Sequence, residues 1–189
     1  MKKIADLLFE AKMLKETPRS GFQFLGSGNE SVAEHSFCTT FIAYVMAQLD
    51  TSIDTLRVIS MCLVHDLPEA RTGDMNAVQK KYIGVDEAKA LEDTTQGLTF
   101  GHAIVELIQE FRAGDSKEAK LAHDADQLAL ILELKDLMDI GYKPPKSWVP
   151  HVISRLKTKA GNDIAKAIMA THRDGWWRNN FIDTDTKNE

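Results

Sequence analysis

The stretch Leu56-Arg57-Val58-Ile59-Ser60-Met61-Cys62-Leu63-Val64-His65-Asp66-Leu67-Pro68-Glu69 decides how this chain is to be read. Its apolar residues predict a helix from about Ser52 to His65, and the run ends in an imidazole and a carboxylate where burial is expected. A buried charge is costly unless it is paired or bound to a metal. Pro68 lacks a backbone N–H and clashes one turn back, so the helix kinks or stops near His65. An acidic and imidazole pair at a buried helix end therefore points to a divalent metal.

Outward from that stretch, the chain reads as all-α. Lys3–Leu14 carries Ile4, Leu7, Leu8, Ala11 and Leu14 at helical spacing. Thr17–Glu30 is a glycine-punctuated loop holding Phe22, Phe24 and Leu25, apolar enough to pack back on the body. Ser31-Val32-Ala33-Glu34 is a capping box opening a helix through Phe37, Phe41, Ile42, Val45, Met46 and Leu49. Further helices are expected over Asp86–Leu98 (Ala88, Leu91 and Leu98 inward), His102–Arg112, and Lys117 to about Ile140, with Gly141 as terminator. Another begins near Ser147 to Pro150, and the last covers about Asn162–Arg173. No segment alternates with period two, and the sequence has no internal repeat. One domain over residues 1–178 is expected, with a polar, frayed tail at 179–189.

Composition narrows the function classes. The chain has 189 residues, and 23 Lys and Arg against 28 Asp and Glu give a net charge of −5, which argues against capture of long nucleic acid. No run of 18 apolar residues exists, so no membrane span is expected. Asp6, Glu10 and Lys12 interrupt any signal-peptide core. Cys38 and Cys62 lie in apolar helical runs without ligand spacing and read as buried free thiols in a reducing compartment, the cytoplasm.

Three neighbours of the His65-Asp66 pair strengthen the metal reading. Glu69 follows His65 by four residues, His35 sits in an otherwise apolar helix, and Asp126 lies inside the longest helix. Two imidazoles and two carboxylates suit Mn, Fe(II), Co, Ni or Zn better than Ca or Mg. A metal with open positions lowers the pKa of water and neutralises phosphate charge, as hydrolysis requires. Asp124 competes with Asp126, because residues two apart on a helix point about 200° from one another and cannot both ligate one ion. Periodicity does not choose between them.

The order His35, His65-Asp66, Asp126 resembles the metal signature of the HD-domain phosphohydrolase superfamily. Pro18-Arg19-Ser20-Gly21, Glu30–Ser36, His65–Glu69, Thr72-Gly73-Asp74 and Asp124-Ala125-Asp126 resemble the group of HD-domain-containing protein 2 and the bacterial 5′-deoxynucleotidases. The resemblance spans about two-thirds of the chain. It implies an all-α single HD-domain helical bundle, homodimers in many members, and one divalent metal (Mn, Co, Fe, Ni, Zn or Mg) held by His35, His65, Asp66 and Asp126. It also implies Glu69 as general base or proton shuttle, Asp74 at the phosphate or nucleophile, and Arg19 gripping the phosphate. A guanidinium offers phosphate a bidentate fork. The bacterial enzymes place an aromatic residue directly after that arginine to reject ribose, whereas here it is Ser20.

The expected activity is therefore a metal-dependent phosphomonoesterase acting on 5′-(deoxy)nucleoside monophosphates or similar small phosphate esters. The alternatives are hydrolysis of another phosphorylated metabolite or a cyclic nucleotide, or a non-catalytic metal- or nucleotide-binding module. Arg19, Glu69 and Asp74 argue against the module, since a structural metal site needs no acid-base group. Other residues have plainer readings: Glu34 as a cap, His102, His123, His151 and His172 at the surface or behind the ligands, Trp176-Trp177 as a core or dimer anchor, and Lys80-Lys81 as a solvated pair.

Overall fold

The computed structural model describes residues 1–181; the expected tail beyond Phe181 lies outside the described residues. Among them the only β feature is an isolated antiparallel bridge between Pro18 and Ser31. The helices are α1 (Lys2–Met13), α2 (Phe22–Leu25), α3 (Val32–Ala47), α4 (Thr55–Val64), α5 (Glu69–Thr72), α6 (Gln79–Tyr82), α7 (Glu87–Thr95) and α8 (Gly101–Ala113). After these come α9 (Lys117–Asp139), a 3₁₀ turn (Pro144–Ser147), α10 (Val149–Ile153), α11 (Lys159–Ala170) and α12 (Gly175–Phe181). None of these helices is long and apolar enough to cross a membrane.

The 23-residue α9 is the axis of the bundle, and α3, α4, α8, α10 and α11 all pack on it. It can do so because almost every turn offers a small or branched apolar side chain to the core: Ala119, Ala122, Ala125, Leu128, Ile131 and Leu134 are all fully buried. Met46 from α3 and Val58, Met61 and Cys62 from α4 complete this core. A smaller cluster of Leu14, Val32 and Leu67 fixes the end of α1 against the segment that follows α4.

Local signals set the helix ends. The Ser31 amide donates to Glu34 Oε2 at 2.7 Å and the Glu34 amide to Ser31 Oγ at 3.2 Å, so the capping box forms and Glu34 is a cap. Gly141 has φ +93°, and the Tyr142 amide bonds the Leu137 carbonyl, so α9 ends in the left-handed glycine that its sequence predicts. Helix α4 ends at Val64, and tight turns lead through Pro68 into α5.

The structure adds to the sequence reading in α3 and departs from it elsewhere. In α3, Phe37, Phe41, Tyr44 and Val45 face solvent, and His35, Ser36, Thr39, Ala43 and Met46 point inward. In α7 the buried residues are Ala90, Leu91, Thr94 and Thr95, while Ala88 is exposed and Leu98 lies past the helix. The Thr171–Asp174 break ends α11, and the chain re-enters helix at Gly175, so residues 179–181 continue α12. Trp176 is 72% exposed on a groove between α9 and α11 and is no core anchor. Both cysteines are free; Cys62 is buried and Cys38 half-buried.

Candidate metal centre

Three helices converge on one point. His35 comes from the first turns of α3, His65 is the C-cap of α4, and Asp126 lies midway along α9. One ligand atom from each lies within 4.8 Å of the others. His35 Nε2 is 2.9 Å from Asp126 Oδ1. Asp66 Oδ2 is 3.1 Å from His65 Nε2 and 3.9 Å from His35 Nε2, which brings the fourth expected residue to the same place. His65 Nε2 and Asp66 Oδ2 are buried, yet neither makes a hydrogen bond. Unmet nitrogen and oxygen lone pairs facing one point fit a divalent cation of borderline hardness.

The supports behind these groups are uneven. His65 Nδ1 is 2.8 Å from the Cys62 carbonyl, and donating there leaves Nε2 bare toward the centre. Gln127 Nε2 donates to Asp126 Oδ2 at 2.7 Å and orients that carboxylate. Phe111 packs against the His65 ring, and His123, whose Nε2 lies 2.6 Å from the Phe111 carbonyl, stacks on Phe111. His123 thus stands behind the converging groups rather than among them.

The Asp124 ambiguity is resolved by α11. Asp124 is fully buried on the opposite side of α9, where its oxygens accept the Lys157 amide (2.7 Å), the Thr158 amide (2.8 Å) and the Thr158 hydroxyl (2.6 Å). A Cβ at Gly161 would meet Asp124 Oδ2 at 2.3 Å, so glycine there is what lets the two helices approach so closely. Asp124 fastens α9 to the start of α11, and Asp126 faces the centre.

The residues expected to handle substrate lie alongside. The Arg19 side chain is 18% exposed, with Nη1 3.6 Å from Asp66 Oδ2 and Nε 3.8 Å from Glu30 Oε2. Asp74 Oδ2 accepts the Ser20 amide at 2.7 Å and the Ser20 hydroxyl at 3.2 Å, so Asp74 holds the Arg19-Ser20 turn in place. Glu69 is half-buried with Oε2 unpartnered.

Charges at the centre are strongly interdependent. Burial resists protonation of His65, but the Asp66 carboxylate and then Asp126 outweigh it and push His65 up to about 9. Burial likewise opposes ionisation of Asp126, yet the His35 hydrogen bond and the neighbouring histidines hold it well below the usual carboxylate range. Asp66 is held low by His65 and His35 against the same burial cost. Glu69 moves the other way: burial, followed by repulsion from Asp66 and Asp74, raises it to about 9. In Glu30, burial and the nearby Glu133 outweigh Arg19, and the group rises to about 7.

In the sequence Glu30 stands only within the Glu30–Ser36 block, whereas the fold buries it beside Arg19 and His35. Its sequence signal is slight, an acidic residue at the end of a loop that packs inward. Nothing in the sequence points to the Cys62 carbonyl or to Gln127.

Comparison with known proteins agrees with this geometry. A family model described as the HD domain matches residues 11–169. The human protein named 5′-deoxynucleotidase HDDC2 is 26% identical over 179 residues, covering 84% of this chain and 87% of the relative. A fission-yeast protein named 5′-deoxynucleotidase hdd1 is 30% identical over 131 residues, 64% of this chain and 65% of that one. Among solved structures, a protein of Pyrococcus horikoshii superposes with a TM-score of 0.72 at 30% identity, covering 88% of this chain and 98% of its own. With its helical bundle, its converging histidines and aspartates, and a family match across most of its length, this chain belongs to the HD-domain family.

Proposed function

We propose that this protein is a metal-dependent phosphomonoesterase that releases phosphate from 5′-(deoxy)nucleoside monophosphates. The observation that carries the reading is Arg19, a largely enclosed guanidinium held 3.6 Å from Asp66 at the edge of the metal cluster. A purely structural metal site has no use for a guanidinium fork at its edge. The human and fission-yeast relatives, both named as 5′-deoxynucleotidases, support the substrate class.

His35, His65, Asp66 and Asp126 hold the divalent cation, which when bound supplies charge that acidifies water and neutralises phosphate. Arg19 grips the phosphate oxygens, and Asp74 keeps the Arg19-Ser20 turn in register through the Ser20 amide. Water attacks phosphorus and the bond from phosphorus to O5′ breaks. Glu69, which a bound cation would favour in its ionised form, accepts the proton released by the attacking water, and the departing O5′ takes its proton from solvent. A cavity of about 220 Å³ adjoins Arg19 and Asp74, with Phe22, Trp148, Asn76 and Arg155 among its walls. It takes the sugar and the near edge of the base, with the aromatic faces of Phe22 and Trp148 standing where Ser20 offers none.

The test is phosphate release from 5′-dNMPs, NMPs, sugar phosphates and cyclic nucleotides with Mn²⁺, Co²⁺ or Mg²⁺. Turnover of the 5′-monophosphates is expected; turnover of none with any metal overturns the reading, and turnover confined to the other esters moves it to the alternative substrate class. The Phe37, Phe41, Tyr44 and Val45 face of α3 supports a homodimer, since the two stacked aromatics Phe37 and Phe41 lie 71% and 59% exposed. Phe41→Glu is expected to halve the mass measured by light scattering without loss of helical signal. Free Cys38 and Cys62 support a reducing compartment, the cytoplasm.

A further inference from the structure

Glu30 touches neither the reacting atoms nor the expected ligand lone pairs, yet it sits between the two halves of the site. Its side chain is 4% exposed, and its Oε2 lies 3.9 Å from His35 Nδ1 and 3.8 Å from Arg19 Nε. The placement is built by the backbone: the Glu30 carbonyl accepts the Arg19 amide at 2.8 Å, and the Pro18–Ser31 bridge closes the loop between them. Closing either side-chain gap to hydrogen-bond length takes about 1 Å of movement.

The reason to connect Glu30 with His35 is a contrast between the two histidines. Both rings turn Nε2 to the centre. A ligating Nε2 must be bare, so the ring proton must sit on Nδ1 and needs an acceptor there. His65 has one, the Cys62 carbonyl at 2.8 Å. His35 is fully buried, its Nδ1 has no partner, and the group that faces that nitrogen is the Glu30 carboxylate.

We propose that Glu30 is a positioning residue with two clients, orienting His35 as an Nε2 ligand through its Nδ1–H and setting the Arg19 guanidinium beside Asp66. Metal affinity and phosphate affinity then depend on one carboxylate. The inference rests on reading His35 as a ligand and Arg19 as the phosphate grip.

The experiment uses the full chain, wild type beside Glu30→Ala and Glu30→Gln. The Mn²⁺ dissociation constant is measured by calorimetry, inorganic phosphate affinity is measured on the Mn²⁺-loaded protein, and the His35 tautomer is read from ¹⁵N shifts of the diamagnetic Zn²⁺-loaded protein, because without metal His35 Nε2 lies 2.9 Å from Asp126 Oδ1 and keeps its proton there. Glu30→Ala is expected to weaken Mn²⁺ by about 10–100-fold, mix the His35 tautomers and weaken phosphate, with the His65 signals unmoved. Glu30→Gln, which keeps an acceptor oxygen, falls between on Mn²⁺ and retains the tautomer, but weakens phosphate as Ala does because the charge facing Arg19 is gone.

A merely structural glutamate would lower Tm and leave the Mn²⁺ constant and the tautomer where they are; that result overturns the proposal. If Glu30→Ala does not fold, unchanged Mn²⁺ and phosphate affinities in Glu30→Gln overturn it equally. None of these readouts needs turnover. A wild type that hydrolyses nothing while Glu30→Ala still loosens Mn²⁺ would defeat the enzymatic reading and leave this inference standing.

Discussion

Asp66→Asn is expected to cut phosphate release at saturating Mn²⁺ by at least about a thousandfold, equivalent to roughly 4 kcal/mol of barrier. The exchange is nearly isosteric, so the loss traces to charge. Asp66 Oδ2 is the atom that the whole site shares: it lies 3.1 Å from His65 Nε2, 3.9 Å from His35 Nε2 and 3.6 Å from Arg19 Nη1. An amide there weakens the cation's hold and also releases the guanidinium that must meet the phosphate. Asp124→Asn is the control, two residues from the proposed ligand Asp126. It removes a fully buried charge that accepts three hydrogen bonds from the Lys157-Thr158 segment, so it costs stability, about 1–3 kcal/mol, while protein that folds keeps its turnover. Steady-state rates paired with thermal melts separate the two. Activity of Asp66→Asn within tenfold of wild type would sink the proposed site.

Without metal, the folded protein is expected to lose stability as pH rises from about 5 to 9, and divalent metal is expected to remove most of that loss. The sign follows from which state holds protons more tightly. His65 rises from 6.5 to about 9 on folding and Glu69 from 4.5 to about 9. Between those values the native state binds more protons than the unfolded chain, so the contribution of each is present below its unfolded value and is lost as pH climbs through about 9. Asp66 and Asp126 are depressed instead, and their contribution disappears only in strong acid. A bound cation replaces the positive charge that His65 supplies and favours ionised Glu69, so the rise in Tm on adding Mn²⁺ is larger at pH 9 than at pH 6. Glu69→Gln takes the unpartnered buried carboxyl out of the balance. It should stabilise the chelator-treated protein at pH 8 by about 1–3 kcal/mol, a Tm gain of several degrees for a chain of this size, while turnover falls. A Glu69→Gln protein less stable than wild type under those conditions would show that the carboxylate is not strained there.

The site was legible where local chemistry left few options. His65 and Asp66 ahead of Pro68 identify a helix end with polar groups that need a partner, and the structure puts that end at Val64. The Ser31–Glu34 box and Gly141 mark helix ends by local hydrogen-bond and backbone rules, and both do so in the fold. The Asp124 and Asp126 choice could not be made locally, because both have apolar neighbours one turn away. It took the start of α11, arriving from over thirty residues later in the chain, to claim Asp124. Glu30 was illegible for a similar reason: its partners Arg19 and His35 meet it only after the loop folds back.

Helix α3 shows the boundary most clearly. Its sequence determined a capped helix carrying a histidine among apolar residues, since capping and helical spacing act within a few residues. It did not determine which face turns inward, because apolar side chains surround the helix and the period has no preferred side. Packing against α4 and α9 decided that Ala43, Met46 and the small polar Ser36 and Thr39 go in while Phe37 and Phe41 stay out. Close approach of three helices favours small side chains at the crossing, and that same approach brings His35 within 2.9 Å of Asp126. The sequence alone thus determined the long capped helices and a set of candidate ligands, but not the short helices α2, α5, α6 and α12; only the tertiary structure decided which of those candidates face one another, because that depends on backbone approach between segments up to 91 residues apart.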